Sequence, residues 1–307
     1  MSSLIEQAAL RLEQLRQAGV AIPEVKAGVM NGVPREAGAA TPGMPFRSVH
    51  EPLVASRKVD LDLPALAAAG IVTPNAPRSH TADQFRVIKR PLISNAIGNN
   101  GSTVAHSNLI MVTSALVGEG KTFTSINLAM SLAAEVDHTV MLVDADVARP
   151  SVPRVLGLPE GPGLLDLLDG SSDMSSALLK TNIDKLTILP SGTPHPRATE
   201  MLASDAMRQL LADMAKRYPD RIIIFDSPPL LLTTEARALA TNMGQIVLVV
   251  QAGKTLQTQV EHALTTIESC PVKMLVLNQA RSDAQGAYGY GYGYGYGQGY
   301  GRAQHQT

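Results

Sequence analysis

Hydrophobic and polar positions change their rhythm three times along this chain of 307 residues. In residues 3–18, Leu4, Ala8, Leu12 and Leu15 form a narrow apolar stripe at helical spacing. Ser3 and Glu6 have capping-box spacing and Gly19 supplies a stop, which predicts an amphipathic helix over 1–19. Its charges are mixed (Glu6 and Glu13 against Arg11 and Arg16), which favours docking on protein over a lipid surface, where Lys and Arg dominate. Residues 20–50 are rich in Gly, Pro and Ala, and short elements return from "RKVDLDLPALAAAG" onward. Residues 20–80 are therefore expected as linker with short elements. "TADQFRVIKRPLISNA" at 81–96 is helical in texture, and Pro91 is expected to limit that helix.

From residue 107 the rhythm becomes that of buried strands alternating with helices. The strands are "NLIMVTSA", "TVMLVDAD", "LTILPSG", "RIIIFDSPP", "QIVLVVQAG" and "KMLVLNQA". Between them lie "TFTSINLAMSLAAEV", "ATEMLASDAMRQLLADMAKRY" and "TLQTQVEHALTTIES", each patterned as a helix. Continuous β-branched runs separated by helices predict an α/β domain over 81–282, a doubly wound and mostly parallel sheet with helices on both faces. The periodicity ends in "GAYGYGYGYGYGQGYGRAQHQT", so 283–307 is expected to be a disordered Gly/Tyr tail.

Composition narrows the partners. With 26 basic and 27 acidic residues the chain is nearly neutral, and nothing in that balance calls for nucleic acid. Cys270 is the one cysteine, so no internal disulfide forms, which suits a reducing compartment and a small buried apolar role. "MSSLIEQAALRLEQLR" is charged throughout and lacks the apolar centre of a signal peptide. No uncharged apolar run reaches the roughly 18–20 residues of a membrane span. The expected location is cytoplasmic, with any membrane attachment made through a partner.

Three motifs carry chemistry. "GEGKT", Gly118 to Thr122, closes a P-loop pattern, with Ala115 where its first glycine would stand. Backbone N–H groups of Gly118, Glu119 and Gly120 can wrap a phosphate, and the following helix, from Lys121 through Phe123, adds its positive end. Lys121 reaches the outer phosphates and the Thr122 hydroxyl is a Mg²⁺ ligand. The Ala115 departure is harmless if that position stays out of positive φ. "VMLVDADVARP" sets Asp144 and Asp146 two apart at one strand end, and "RIIIFDSPP" sets Asp226 at another. In an open parallel sheet such ends share one edge, so the three carboxylates can meet the P-loop and serve a magnesium–nucleotide site. Singly, each strand-end Asp is as well read as a loop cap.

Together these residues resemble the bacterial tyrosine kinases that accompany exopolysaccharide export, most nearly their cytosolic autokinases. The family's three boxes stand here as "ALVGEGKT", "MLVDADVARP" and "IIFDSPP". Its C-terminal tyrosine cluster stands as Tyr288, Tyr290, Tyr292, Tyr294, Tyr296 and Tyr300. The resemblance implies ATP and Mg²⁺ as cofactors, Lys121 on the phosphates, and Thr122, Asp146 and Asp226 about the metal. It implies Asp144 as the base near the incoming tyrosine. It further implies a ring-like homo-oligomer whose tails enter neighbouring sites, a membrane chain-length (polysaccharide co-polymerase) protein as activator, and a cognate phosphatase. "DQFRVIK" is similar to the family's E-x-x-R-x-x-R interface helix, with Asp83, Arg86 and Lys89 at the matching places. Lys cannot reproduce a bidentate Arg contact there. Ala148 stands where an Arg often follows the acidic box, and Arg149 comes one later.

Asn278, at the end of the last strand, is the candidate for the adenine base. Two other readings share the fold. A partition-type or septum-positioning ATPase would carry a lysine early in the P-loop, where this chain has Leu116. A non-catalytic ATP-binding adaptor would use the tail only to organise an export complex.

Overall fold

The computed structural model describes residues 56–74, 78–98, 104–217 and 220–280. The expected helix at 1–19, the linker up to residue 50 and the tail from 283 lie outside the described residues. Strand β1 (Arg57–Val59) and helices α1 (Leu63–Ala68) and α2 (His80–Ile97) come first. Strand β2 (Leu109–Ser114), helix α3 (Lys121–Ala133) and strand β3 (Thr139–Asp144) follow. Three short helices, α4 (Val152–Leu156), α5 (Leu164–Leu168) and α6 (Met174–Ala177), lead to β4 (Leu179–Thr181) and β5 (Leu186–Leu189). The chain continues through α7 (Ala198–Leu202), α8 (Asp205–Arg217), β6 (Arg221–Asp226) and α9 (Thr234–Ala240). It closes with β7 (Gln245–Gln251), α10 (Gln257–Thr265) and β8 (Val272–Asn278).

The strands form one sheet in the order β1-β4-β5-β3-β6-β2-β7-β8, parallel throughout except for the β4–β5 pair. Alternate residues of the central strands face opposite layers, as the pleat requires. Leu109, Met111, Met141, Val143, Ile223 and Phe225 face a core closed by α7, α8, α9 and α10. Ile110, Val112, Val140, Leu142, Ile222 and Ile224 face the core closed by α1, α2 and α3. The doubly wound α/β class is that of P-loop NTPases.

The structure departs from expectation at several points. Residues 57–71 belong to the sheet domain: β1 pairs with β4, and Leu61, Leu66 and Ile71 are buried in the second core. The domain therefore begins upstream of residue 81. Helix α2 runs straight through Pro91. Phe85, Leu92 and Ile93 are buried on one face of α2, and that burial on both sides of the proline outweighs the single backbone bond it lacks. The helical pattern at 198–218 breaks at Ala203–Ser204, where the Ser204 hydroxyl accepts from Met207 N (3.2 Å) and starts α8 anew. Strands β1 and β4, three residues each, are too short to show a period.

Candidate nucleotide-binding and catalytic site

The turn from β2 into α3 is held from within. Gly118 and Gly120 sit at φ +82° and +95°, a region L side chains rarely adopt, and Ala115 is not among the positive-φ residues. A Cβ on Gly120 would also run into the Asn278 amide nitrogen, which itself donates to Glu119 O at 2.9 Å. Glu119 is buried and points inward. Its carboxylate accepts from Leu116 N (2.7 Å) and from the Thr255 hydroxyl, so only its backbone N–H remains to meet a phosphate. Gly120 caps α3 without any side-chain bond, which leaves the first N–H groups of a thirteen-residue helix turned toward this turn.

The acids arrive from neighbouring strands. β3 and β6 are adjacent, with Asp144 in register opposite Asp226, and β2 lies on the far side of β6. Asp226 is fully buried. It accepts from the Thr122 hydroxyl at 2.6 Å and the Ser125 hydroxyl at 3.1 Å, with Lys121 Nζ 4.0 Å away. Lys121 Nζ bonds Asp146 Oδ2 at 2.5 Å. Asp144 is sealed: Oδ1 accepts from Asp146 N (3.3 Å), and Oδ2 accepts from Ser151 N (3.0 Å) and Val152 N (2.9 Å). Burial, and then the nearby charge of Asp226, push the Asp144 carboxyl up to about 7. Burial likewise raises Asp226, against the pull of Lys121 and its two hydroxyl donors. Lys121, Thr122, Asp144, Asp146 and Asp226 thus converge at one sheet edge.

Two buried carboxylates, Asp146 and Asp226, face one lysine here, an excess of negative charge that a divalent cation would balance. Among the described residues no cluster of three or more His, Cys, Asp or Glu forms a ready-made cage. A hydroxyl and two carboxylates, Thr122, Asp146 and Asp226, are the kind of sparse oxygen set that Mg²⁺ takes when phosphates and water complete its shell.

Asn278 lies against the P-loop. Beside it, at the ends of β7 and β8, Gln251, Ala252, Gly253, Lys254 and Gln279 line a hollow of about 490 Å³. Gln251 Nε2 donates to Gln279 Oε1 at 2.5 Å, and Gln279 sits at φ +57°. No sequence motif marks this hollow, because the sheet order alone sets β7 and β8 beside the P-loop. Ser125 and Thr255, which hold Asp226 and Glu119, were missed as well. Their only signal is a hydroxyl at one turn's spacing inside α3 and a loop threonine. Phe123 lies outside the cluster, its ring tilted against Phe85 at a centroid distance of 6.5 Å.

The expected interface triad divides. Asp83 and Arg86 pair with each other at 2.8 Å on the exposed side of α2. Lys89 is buried, donating to Ser131 O (2.6 Å) and Glu135 (2.7 Å), which draws the Glu135 carboxyl below its ordinary range. The helical period puts Lys89 on the same face as Phe85, Leu92 and Ile93, so it pins α2 to α3 and is withdrawn from any neighbouring copy.

Comparison with known proteins agrees with this geometry. The model of the AAA domain family, AAA_31, matches residues 107–277. Tyrosine-protein kinase YwqD of Bacillus subtilis (strain 168) is 31% identical over 222 residues, covering 72% of this chain and 90% of the relative. The chain belongs to the bacterial tyrosine kinases. Tyrosine-protein kinase CpsD of Streptococcus agalactiae serotype Ia is 34% identical over 200 residues, 64% of this chain and 84% of that one. Among solved structures, the chimerical protein CapA2B2 aligns with TM-score 0.59 at 27% identity, over 75% of this chain and 94% of that one. The VpsO kinase domain aligns with TM-score 0.53 at 27% identity, over 66% of this chain and all of its own. Family membership covers the sheet domain that carries the P-loop and all three acids. No helix among the described residues is long and apolar enough to cross a membrane.

Proposed function

We propose that this kinase uses ATP and Mg²⁺ to phosphorylate tyrosines, foremost Tyr288, Tyr290, Tyr292, Tyr294, Tyr296 and Tyr300 in the tail of a neighbouring copy. The carrying observation is the convergence of Lys121, Thr122, Asp146 and Asp226 beneath an open helix N-terminus. In the transfer a bond forms between the phenol oxygen and the γ-phosphorus, and the bond from that phosphorus to ADP breaks. The phenol proton passes to Asp146, which lines the opening, rather than to the expected Asp144, which is sealed behind the N–H groups of Asp146, Ser151 and Val152. Lys121 and the α3 N–H groups hold the phosphates and neutralise charge that builds there. Thr122, Asp146 and Asp226 would hold magnesium, which would supply positive charge against the charge building on the phosphates. The hollow around Gln251 and Gln279 takes the nucleoside end, with Asn278 between it and the phosphates.

The parallel pairing of β8 with β7 supports the tail reading, because the chain leaves the sheet at the nucleotide edge. From Asn278 to Tyr296 an extended chain spans about 60 Å, enough to enter a neighbour's site. A tether of that length sets the local tyrosine concentration near millimolar. The wider reading follows the family resemblance. A ring-like homo-oligomer works beside a membrane chain-length protein that activates it, held peripherally at the inner membrane, and a phosphatase resets the tail. Its output is control of exopolysaccharide polymerisation and export.

The test is phosphotyrosine mapping by mass spectrometry after incubation with ATP and Mg²⁺, with and without the activator's cytoplasmic segment. Label on Tyr288–Tyr300 that disappears in Lys121→Met is the expected result. Lys121-dependent ATP hydrolysis without phosphotyrosine, even with activator, would replace this reading with a nucleotide switch.

A further inference from the structure

A small slot opens beside the acid cluster on the side away from the Gln251 hollow. It has a volume of about 140 Å³, and its walls include Val117, Pro228, Pro229 and Leu232, with Asp146 and Arg149 also lining it. Sites that enclose a whole cofactor run to roughly 300–1,000 Å³, so this one admits a single side-chain-sized group. Val117 is at the tip of the P-loop turn, and Leu232 is in the loop between β6 and α9. They are 51% and 58% exposed, two large apolar side chains left in water at the edge of a charged site.

The walls are fixed to one another. Leu230 N donates to Ser114 O (2.9 Å) and Leu231 N to Ala115 O (3.2 Å), tying the β6–α9 loop to the start of the P-loop. The Thr113 hydroxyl donates to Pro228 O (2.8 Å), and the Thr233 hydroxyl donates to Pro229 O (3.0 Å). The floor is polar. Asp146 Oδ1 accepts from Arg149 N at 3.2 Å, while Oδ2 holds Lys121. Arg149 and Ala148 are exposed at the rim.

We infer that this slot is the acceptor subsite, where Val117, Pro228, Pro229 and Leu232 clasp the ring of an incoming tyrosine and aim its hydroxyl at Asp146. The inference rests on the kinase reading and adds its source of specificity. Apolar walls with a polar floor suit a flat apolar ring that ends in a hydroxyl. A serine hydroxyl, one carbon from the backbone, would stop at the rim, short of the floor by the length of a ring. Glycine on both sides of most tail tyrosines keeps the acceptor backbone slim where it crosses that rim. Binding contributed by the walls acts on the acceptor and leaves the nucleotide's own contacts alone.

The experiment uses the full-length chain, ATP, Mg²⁺ and a synthetic peptide of sequence AYGYGYG as acceptor, reading label on the peptide. Leu232→Ser is expected to raise the peptide KM about tenfold while the ATP KM moves less than twofold, since it removes apolar area at the ring alone. Leu232→Trp, which fills the slot, is expected to cut transfer to the peptide more than tenfold, and Leu232→Met to keep it near the wild-type level. Leu232 is exposed, so these variants fold. Tyrosine transfer by the wild type with peptide KM unchanged in both Ser and Trp variants, or with peptide and ATP KM shifting together, overturns the subsite and leaves the kinase standing. No transfer to tyrosine by the wild type, even with the activator's cytoplasmic segment added, overturns both.

Discussion

At the scale of single residues, the site is a balance of burial against charge. Asp144 shows it best: its carboxyl sits at an ordinary 3.8 in an open chain and is pushed up to about 7 in the fold. As pH rises through that window the unfolded chain releases this proton first while the native state retains it. The native state then binds more protons, and stability must fall with rising pH between about 4 and 7. The fall should be a few kcal/mol at most. Urea unfolding in EDTA across that range should show it, and Asp144→Asn should flatten it; an equal slope in the variant would assign the effect elsewhere. Gly120→Ala is predicted to abolish nucleotide binding, because a Cβ there meets Asn278 and the backbone is at φ +95°. Binding of a fluorescent ATP analogue checks it. The candidate residues themselves were legible, since glycines, a lysine and strand-end aspartates have few other uses in that order. Their states were not: that Glu119 turns inward and Asp144 is sealed depends on Thr255 and on Ser151 and Val152.

At the scale of elements, α2 is the instructive case. Its sequence reads as a charged helix stopped at a proline, and the fold makes it a buried strut. Lys89 satisfies Ser131 O and Glu135 from within, so Lys89→Met is predicted to cost about 2 kcal/mol by removing the donor on Ser131 O and leaving Glu135 with only the more distant Arg90, at 3.8 Å. Because Lys89 faces inward, the loss should appear in chemical denaturation without a change in oligomeric mass; a lower mass at full stability would return Lys89 to an interface. Pro91→Ala should stabilise by about 1–2 kcal/mol, since the helix already continues past it and regains a backbone donor. A lower Tm in that variant would mean the proline ring packs better than the helix needs. Strands and long helices with strong periods were readable from the pattern alone. The break at Ser204 and the three-residue strands were not, because a local hydroxyl cap and sheet pairing decided them.

At the scale of the whole molecule, the sheet order turns separate motifs into one machine. Strand β8, parallel to β7, delivers the chain to the nucleotide edge, and a charge switch is predicted from the tyrosines appended there. Each phosphotyrosine adds about −1.5 to −2 charges to a stretch without charges between Tyr288 and Tyr300. Several of them should repel each other and the acid cluster. The prediction is an assembled species by light scattering before ATP, smaller species after phosphorylation, and a chain with the six tail tyrosines changed to Phe that stays assembled. An unchanged mass at full phosphorylation would remove the switch.

The sequence by itself determined the class of fold, the phosphate-binding turn and the three acids. Those features are local: a strand's apolar run, a glycine's conformation and an aspartate at a strand end each write themselves within a few residues. Only the tertiary structure decided which strands are neighbours. β3 had to pair with β6, and β6 with β2, before Asp144, Asp226 and the P-loop could meet. The same order places Asn278 on Gly120 and sets the β6–α9 loop beside Val117 to make the slot. Such contacts join residues eighty or more positions apart, where no local period reaches, and the burial of both sheet faces selects among them.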